Sequence, residues 1–391
     1  MTRWRIVLAF GLAFIPAGVG AQSHFNTAGL GLVQEALDAR TRALGGIGVG
    51  LMGSGLLPSD PASIGRLGIP TAVFTAQPSW TDYRRSDGAD AGTVQGTRFP
   101  LVGVAYPVRQ WGIGYLTFGS VFDQRFQAER PGSVVLGLDT VNVVDSLHAD
   151  GGVSQIRVGF ARPFGKYLSA GVSVARYNGS ALRRFTRTFA DGEVDPSVQD
   201  FATGGLWRYS GTSVTMGAGA QMGTVFRAAG SVEWSGSLSA EPTEDTRGSA
   251  RVYPMPVTWR LGATANLAGG LALTGSVMMA DWTETGAALV DPSTAGKATS
   301  YGVGIELGNA RLFGRPAPLR VGYRSRDLPF SPGGGMATET AYTGGFGLTL
   351  LESGRFVLAG VDFSIERGKR VDTVLTEEFW RGGLSLRLAG F

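Results

Sequence analysis

The sequence contains no cysteine, and its 391 residues include only two histidines, His24 and His148. The absence of cysteine excludes disulfide bonds and zinc sites built on thiolates. Lysine occurs only at positions 166, 297 and 369, and no run of basic residues points to a nucleic-acid partner. The composition therefore predicts a chain that is held by packing and backbone hydrogen bonds, with no metal and no redox cofactor.

Long apolar runs are also missing after the N-terminus, although 43% of the residues are hydrophobic. A membrane-spanning helix needs about 20 consecutive apolar residues, so the pattern excludes a helical membrane protein. Glycine is abundant, with 61 residues, and each interior glycine weakens a helix by about 1 kcal/mol. These features favour an all-β protein.

The first 21 residues have the pattern of a secretory signal peptide. Arg3 and Arg5 precede an apolar run, and Val19-Gly20-Ala21 fits a small-residue cleavage site. We therefore expect residues 1–21 to be removed and the mature chain to begin near Gln22. No cysteine follows the cleavage site, so a lipoprotein anchor is not expected.

Alternating apolar and polar residues recur along the rest of the chain, which is the two-residue period of β-strands. In RFVLAGVDFSIE, residues 355–366, the apolar set includes Val361, Phe363 and Ile365, and the intervening set includes Asp362 and Glu366. About 14 such segments are centred near residues 76, 103, 117, 156, 174, 214, 231, 260, 276, 304, 321, 345, 360 and 385, and those near 76, 231 and 345 are the weakest.

The connections between these segments alternate between short and long. The predicted long connections cover residues 85–97, 130–150, 188–204, 241–249, 284–297, 327–338 and 367–377. Short turns at one end and long loops at the other are typical of an up-and-down transmembrane β-barrel. We therefore predict a 14-stranded antiparallel barrel over residues 69–391, with both chain ends on the short-turn, periplasmic side.

Arginines on the polar face decide which side of the strands faces water. Arg157, Arg260, Arg320 and Arg324 share that face with Glu306 and Asp362. These charges need water or each other, so the apolar face must point outward to lipid. A soluble sandwich or propeller is the alternative, but its inner face would need larger apolar residues.

Residues 22–68 do not alternate and precede the first strand. The stretch LVQEALDARTRALGG is weakly helical and ends at Gly45-Gly46, a plausible helix stop. A barrel of 14 strands leaves a hole unless something fills it. This small, glycine-rich segment is therefore predicted to be a plug in the lumen, with a periplasmic position as the alternative.

The stretches ARTRALGGIGVGL and SDPASIGRL resemble the N-terminal hatch of the FadL-type family of outer-membrane transporters for long-chain fatty acids and other hydrophobic compounds. Ala39, Ala43, Gly45 and Gly46 match the first family motif. Pro61 and Ala62 match the second, with Asp60 where the family usually has Asn. The resemblance implies a plugged outer-membrane barrel that takes up a hydrophobic ligand passively and releases it sideways through its wall.

Catalytic patterns are weak in this sequence. His148 has Asp145 and Ser146 nearby, but adjacent residues rarely form a catalytic triad. The stretch GGIGVG at residues 45–50 resembles a phosphate loop, but no βαβ unit surrounds it. We predict that the chain is not an enzyme.

Two further sets of residues have candidate roles. The four inward arginines are candidates to bind a ligand carboxylate, or else to form salt bridges with the hatch at Glu35 or Asp38. Phe391, at the end of the chain, resembles the signal read by the outer-membrane assembly machinery, with a bulge at Ala389-Gly390 adjusting its phase. Aromatic residues at strand ends fit a girdle at the lipid interface, namely Trp80, Trp111, Trp207, Trp282, Trp380, Tyr83 and Tyr209.

Three functions are compatible with this pattern. The first is passive uptake of a hydrophobic small molecule, with long-chain fatty acids expected. In that case Val134, Val135 and Leu136 could form an outer landing groove. The second is a scaffold for a secretion or attachment complex, such as the PorV-like components of type IX secretion. The third is a general porin. Outer-membrane lipid is the expected surrounding medium in each case.

Overall fold

The structure is a computed structural model, and it describes residues 23–53, 55–86, 88, 91–108, 110–136, 139–189, 199–289, 295–334, 336–354 and 356–391. The predicted signal peptide lies outside these residues. Within the described residues, no helix combines the length and the hydropathy of a membrane span.

Most of the chain is β-strand. In chain order the strands are β1 (Leu32–Val33), β2 (Thr71–Arg85), β3 (Ala91–Val108), β4 (Gly112–Asp123), β5 (Phe126–Leu136), β6 (Asp139–Phe164), β7 (Leu168–Phe189), β8 (Phe201–Met222), β9 (Phe226–Ser235), β10 (Leu238–Pro242), β11 (Arg251–Tyr253), β12 (Thr258–Asn266), β13 (Leu271–Asp281), β14 (Lys297–Leu307), β15 (Arg311–Leu312), β16 (Arg315–Pro316), β17 (Leu319–Leu328), β18 (Ala337–Ser353), β19 (Phe356–Val371) and β20 (Leu375–Ala389).

Three short helices complete the described secondary structure, apart from two single 3₁₀ turns. They are α1 (Ala39–Ala43), α2 (Pro61–Ile64) and α3 (Thr283–Gly286).

The strands close into a 14-membered antiparallel barrel. Neighbours pair in chain order from β2 to β20, and β20 pairs back with β2. Strand β5 continues β4, and β10 continues β9, so neither adds a member to the ring. All 14 predicted strand centres fall within ring strands, including the three weak ones. The predicted fold class is confirmed.

Several predicted long loops are partly strand, and here the prediction was wrong. Residues 130–136 and 139–150 belong to a hairpin in which Leu136 pairs with Asp139. Residues 367–371 likewise belong to β19. Residues 367–371 are mostly charged, and the hairpin combines charged residues with Pro131 and Gly132, because both stretches lie toward the long-loop end, where no continuous apolar face is required. They therefore resembled loops in the sequence.

The two faces of the wall are as predicted. Ile365 is 54% exposed, whereas its neighbour Glu366 is 1% exposed. Val158 and Arg157 show the same contrast, at 60% and 2%. The apolar residues therefore point out of the barrel and the charged residues point into its bore.

The N-terminal segment, defined here as residues 23–68, packs against the inner face of the wall. Helix α1 contacts strands β17 to β20, and helix α2 contacts strands β6 to β8 on another part of the ring. Many of its apolar residues are completely buried, among them Leu37, Leu44 and Ile47. The domain boundary between residues 68 and 69 stays a prediction, but these contacts are the ones that a plug in the bore requires.

One part of the wall is incompletely paired. Strand β3 pairs with β4 only from Leu101, opposite Gly119, to Val108, opposite Gly112. Pro100 has no N–H to donate, which ends a ladder at that point. Beyond a register shift between Ser120 and Phe122, β4 pairs with the N-terminal segment instead of with β3. We call this place, toward the long-loop end, the wall gap.

Candidate ligand-binding site in the bore

The first hatch motif forms α1 and the turn after it. Asp38 caps the helix, because its carboxylate accepts a hydrogen bond of 2.8 Å from the Thr41 backbone N–H. Ala39 and Ala43 are completely buried. Gly45 has φ +83°, and a Cβ there would lie 2.5 Å from the carbonyl oxygen of Tyr323. Only glycine allows this close approach to the wall.

The same helix is held by hydroxyl groups of the wall. Thr343 donates a 2.9 Å hydrogen bond to the Ala43 carbonyl and accepts one of 3.0 Å from the Gly45 N–H. The Ala39 N–H donates to the Ser385 hydroxyl at 2.7 Å. Gly46 follows with φ +74° beside the Arg324 side chain. The small residues of the motif therefore bring the backbone within hydrogen-bonding reach of β18 and β20.

The second motif begins α2, where Asp60 has three roles. One carboxylate oxygen accepts from the Ser63 N–H at 3.0 Å and so caps the helix. The other accepts from the Gly50 N–H and from the Arg227 guanidinium, both at 3.0 Å. An Asn could cap the helix as well, but it could not neutralise Arg227, which is 2% exposed. This ion pair gives a physical reason for Asp at this position.

Pro61 and Ala62 complete the second motif. Pro61 lies at the first turn of α2 and Ala62 is completely buried. A Cβ on Gly171 would lie 2.6 Å from the Pro61 carbonyl oxygen, and one on Gly217 would lie 2.9 Å from its ring. Glycines in β7 and β8 therefore make room for this turn.

Two of the predicted arginines share one carboxylate. Arg157 and Arg260 lie 2.6 and 3.0 Å from opposite oxygens of Glu233. Arg157 also donates to Gln155 and to the hydroxyls of Ser173 and Thr215. That these arginines bind a ligand carboxylate stays a prediction, and it would require a ligand to compete with Glu233.

The other two predicted arginines bind carboxylates of the wall that faces α1. Arg320 lies 2.6 Å from both Glu306 and Asp362. Arg324 lies 2.9 Å from Glu339 and 3.1 Å from Glu366. These partners belong to the barrel, whereas Asp38, a predicted partner, instead caps α1.

The N-terminal segment joins this network through its own arginines. Arg40 forms two hydrogen bonds of 3.1 Å with Glu306, and Arg42 lies 3.6 Å from Glu366. Burial is the largest single influence on the pKa of Arg40 and lowers it, but Glu306, Asp362 and Asp38 together raise it more, so the net direction is upward. Burial lowers the pKa of Arg42, and Glu366 offsets only part of that effect. The salt bridges predicted with Glu35 or Asp38 are replaced here by Arg40 and Arg42 bound to acids of the wall, and Asp60 is the acid of the segment that binds a wall arginine, Arg227.

An inner cavity of about 100 Å³ lies between the N-terminal segment and the wall. Its floor carries the Arg157, Glu233 and Arg260 group. Its walls are mainly apolar and include Val33, Phe122, Met255, Met278, Trp282 and Leu328. The whole lining carries no net charge, because three arginines are matched by three acidic residues, namely Arg157, Arg260, Arg326, Glu35, Glu233 and Asp327. The space therefore suits an uncharged, compact group.

A second cavity, of about 380 Å³, lies at the wall gap and is called the gap cavity here. Its lining includes Arg98, Phe99, Phe118 and Asp123. Gln34 and Phe122 line both cavities, so these side chains lie between them. The sequence signal for the gap was Pro100 within a strand pattern, and it was not used in the prediction.

The other predicted sites have mixed outcomes. Trp80, Trp111 and Trp380 are more than 40% exposed on the barrel, as a girdle requires. Trp282 and Tyr209 are buried in the bore, so assigning them to the girdle was wrong. Trp282 packs edge-on against Phe122 and Phe330 instead.

Several predictions concern residues outside the bore. His148 lies in β6 rather than in a loop, and Asp145 of the same strand pairs with Arg187 at 2.6 Å. Val134, Val135 and Leu136 lie in β5, and their role as a landing groove stays a prediction. Phe391 lies beyond the end of β20, and Gly390 turns there with φ +76° in place of the expected bulge. Its role as an assembly signal stays a prediction.

Comparisons with solved structures find the same fold over most of the chain. A FadL homologue of Pseudomonas aeruginosa aligns with a TM-score of 0.63 at 10% identity, covering 92% of this chain and all of that one. The toluene transporter TodX of Pseudomonas putida aligns with a TM-score of 0.58 at 12% identity, covering 93% and 100%. The CymD monoaromatic hydrocarbon channel aligns with a TM-score of 0.55 at 13% identity, covering 92% and 98%.

The chain therefore has the FadL/TodX-type barrel fold, which confirms the resemblance found in the sequence. No protein-family model matches the sequence. No curated protein matches it either. At identities this low the likeness concerns the fold, and function must be argued from the bore and its wall.

Proposed function

We propose that this chain is an outer-membrane channel for passive uptake of hydrophobic small molecules. The observation that carries the proposal is the adjacency of the inner cavity and the gap cavity, which share Gln34 and Phe122 as lining residues. An apolar molecule that reaches the inner cavity has a wall opening beside it. The N-terminal segment acts as the hatch that fills the rest of the bore.

The wall gap is the proposed side exit. Pairing between β3 and β4 stops at Leu101, and the edge of β4 beyond it bonds to the N-terminal segment. The Gln34 N–H donates to the Val121 carbonyl oxygen at 2.8 Å. A segment that holds this edge by a few hydrogen bonds can move away from it at lower cost than a continuous ladder could. Release would then take the ligand into the bilayer.

The size of the inner cavity bears on the ligand. A dry cavity of about 150 Å³ in another protein binds benzene, so one of about 100 Å³ suits a single ring or a short alkyl portion. A long-chain fatty acid would place only part of its chain there. The proposed ligand is therefore an apolar compound whose compact end occupies the inner cavity.

Entry of an apolar dye into intact cells tests this function. Cells that export the chain should take up N-phenyl-1-naphthylamine faster than cells that export the Gly119→Trp variant. A Cβ at position 119 would already lie 2.7 Å from the Ala36 Cβ, so an indole ring there would fill the gap. Equal rates would contradict the channel. Planar-bilayer recording separates the general porin, because a filled bore predicts small currents and large steady currents would contradict it.

A further inference from the structure

We propose that the wall gap contains a binding site for the carboxylate of an amphiphile, formed by Arg98. This site deepens the proposed function, because it names the polar group of the ligand that leaves through the gap. It is distinct from the four inward arginines identified in the sequence, which lie elsewhere on the wall and bind carboxylates of the barrel.

Arg98 is a buried cation whose hydrogen-bonding capacity is largely unused. Its side chain points inward from β3, is 6% exposed and lines the gap cavity. Among the described residues, neither Nε nor Nη1 of Arg98 has a hydrogen-bond partner. A buried guanidinium normally forms several hydrogen bonds, so these free donors indicate an acceptor that arrives from outside the chain.

The charge around Arg98 favours a single negative charge. Asp123 lies 3.9 Å from Nη1, but it is already bound by Arg125 through two hydrogen bonds of 3.1 Å. Two guanidiniums thus share one carboxylate, which leaves one positive charge uncompensated. Arg42 and Arg370 add further positive potential to Arg98. A monoanion restores the balance, whereas a dianion would be repelled by Asp123.

A second unpartnered donor lies next to Arg98. Gln77 is directly opposite Arg98 across the β2–β3 ladder, on the same inward face. It is completely buried, and neither its amide nitrogen nor its amide oxygen has a partner among the described residues. One charged donor and one neutral donor side by side fit the two oxygens of a carboxylate.

Apolar groups surround this polar position. Phe122 lies between the gap cavity and the inner cavity, and Phe99 and Phe118 are 43% and 44% exposed at the outside of the gap. A molecule with its carboxylate at Arg98 would have apolar surface on either side. The gap would therefore hold an amphiphilic acid more tightly than the corresponding neutral ester.

Equilibrium binding of laurate and of methyl laurate to the full chain in phosphatidylcholine nanodiscs tests this site. Arg98→Gln should weaken laurate binding about tenfold or more and leave methyl laurate binding unchanged, because hydrogen bonds to charged groups are the strong ones. Arg98→Lys should retain most of the affinity. Arg130→Gln, which changes an exposed arginine of β5, is the matched control and should have no effect.

A variant with an expected gain in laurate binding separates loss of the site from misfolding, because a misfolded chain would not bind laurate more tightly. Asp123→Asn removes the competing carboxylate and should strengthen laurate binding, with heat-dependent migration on gels reporting the fold. Equal losses for acid and ester, or no loss for either, would overturn the site. Stronger competition by dodecyl phosphate than by laurate would also overturn it, in favour of a lipid phosphate site. If apolar dye enters cells but Arg98 has no effect, the site fails while the channel stands, and if dye does not enter, the channel fails.

Discussion

The wall formed by β17–β20 and the wall between β3 and β4 both contact the N-terminal segment, but by different means. The first, called the paired wall here, is a continuous ladder whose inward arginines and glutamates bind one another and the arginines of α1. The second lacks part of its ladder, and two residues of the segment pair with the free edge of β4. Buried charge therefore fixes one side of the segment, while a few backbone hydrogen bonds hold the side where a ligand would pass.

Removal of Glu339 should have the largest effect on this contrast. Its carboxylate lies 2.9 Å from Arg324 and Arg326 and 2.6 Å from Arg370, and it is completely buried. Glu339→Gln leaves these buried cations short of a partner, which typically costs about 3–5 kcal/mol. The measurement is the free energy of unfolding in detergent. Glu378→Gln is the control, because Glu378 forms an exposed pair with Arg367 and should cost about 1 kcal/mol or less.

A loss at Glu339 no larger than that at Glu378 would mean that the paired wall does not depend on its buried charges. The contrast with the wall gap would then lose its physical basis.

The packing of α1 against the wall should be disturbed by a single methyl group added at Gly45. Gly45→Ala places a Cβ 2.5 and 2.6 Å from the carbonyl oxygens of Tyr323 and Val303, at a φ of +83°. Such strain costs about 1–3 kcal/mol, so the segment should shift and the bilayer conductance should rise. Gly55→Ala is the control, because its Cβ would meet only Leu57 at an ordinary 3.8 Å. Unchanged conductance in both variants would contradict a tightly seated segment.

The wall gap can be locked without altering the paired wall. Val33 and Phe122 are register partners between β1 and β4, and opposed residues in antiparallel strands lie within disulfide reach. In the Val33→Cys/Phe122→Cys variant, oxidation should lower the rate of dye entry about tenfold, equivalent to about 1.4 kcal/mol, and reduction should restore it. The native chain has no cysteine to interfere.

A disulfide on the paired wall provides the comparison. Tyr323→Cys/Tyr342→Cys links two neighbouring strands that are already fully paired, so its oxidation should leave dye entry unchanged. If both cross-links slowed entry equally, or if neither did, movement at the gap would not be the controlling step.

The positions of the strands could be predicted from the sequence, but the side-chain partners that meet across neighbouring strands could not. Alternation located all 14 strands because one face must meet lipid and the other must meet charge. The ion pairs could not be predicted, since Arg157 is 76 residues from Glu233 and their meeting depends on the register of β6, β7, β8 and β9. The glycine and proline motifs indicated the turns of the N-terminal segment correctly, because a positive φ or a missing N–H acts locally.

The wall gap was missed for a related reason. Pro100 marks the end of one ladder, but the register shift at β4 and the pairing of Phe122 and Asp123 with the segment are long-range features. The burial of Trp282 also required the tertiary fold, because an aromatic residue at a strand end occurs both at lipid interfaces and in interiors.

The contacts of the N-terminal segment with both early and late strands constrain how the protein can be made. Its two-residue strand pairs with β4, whereas its first helix binds β18 and β20, which are synthesised last. A ring that closed without this segment would leave the buried Arg227 without its carboxylate partner Asp60, whereas Glu306 and Glu366 would keep the arginines of the wall. We therefore expect the N-terminal segment to be in position when the final hairpin joins β2, so that the barrel closes around it.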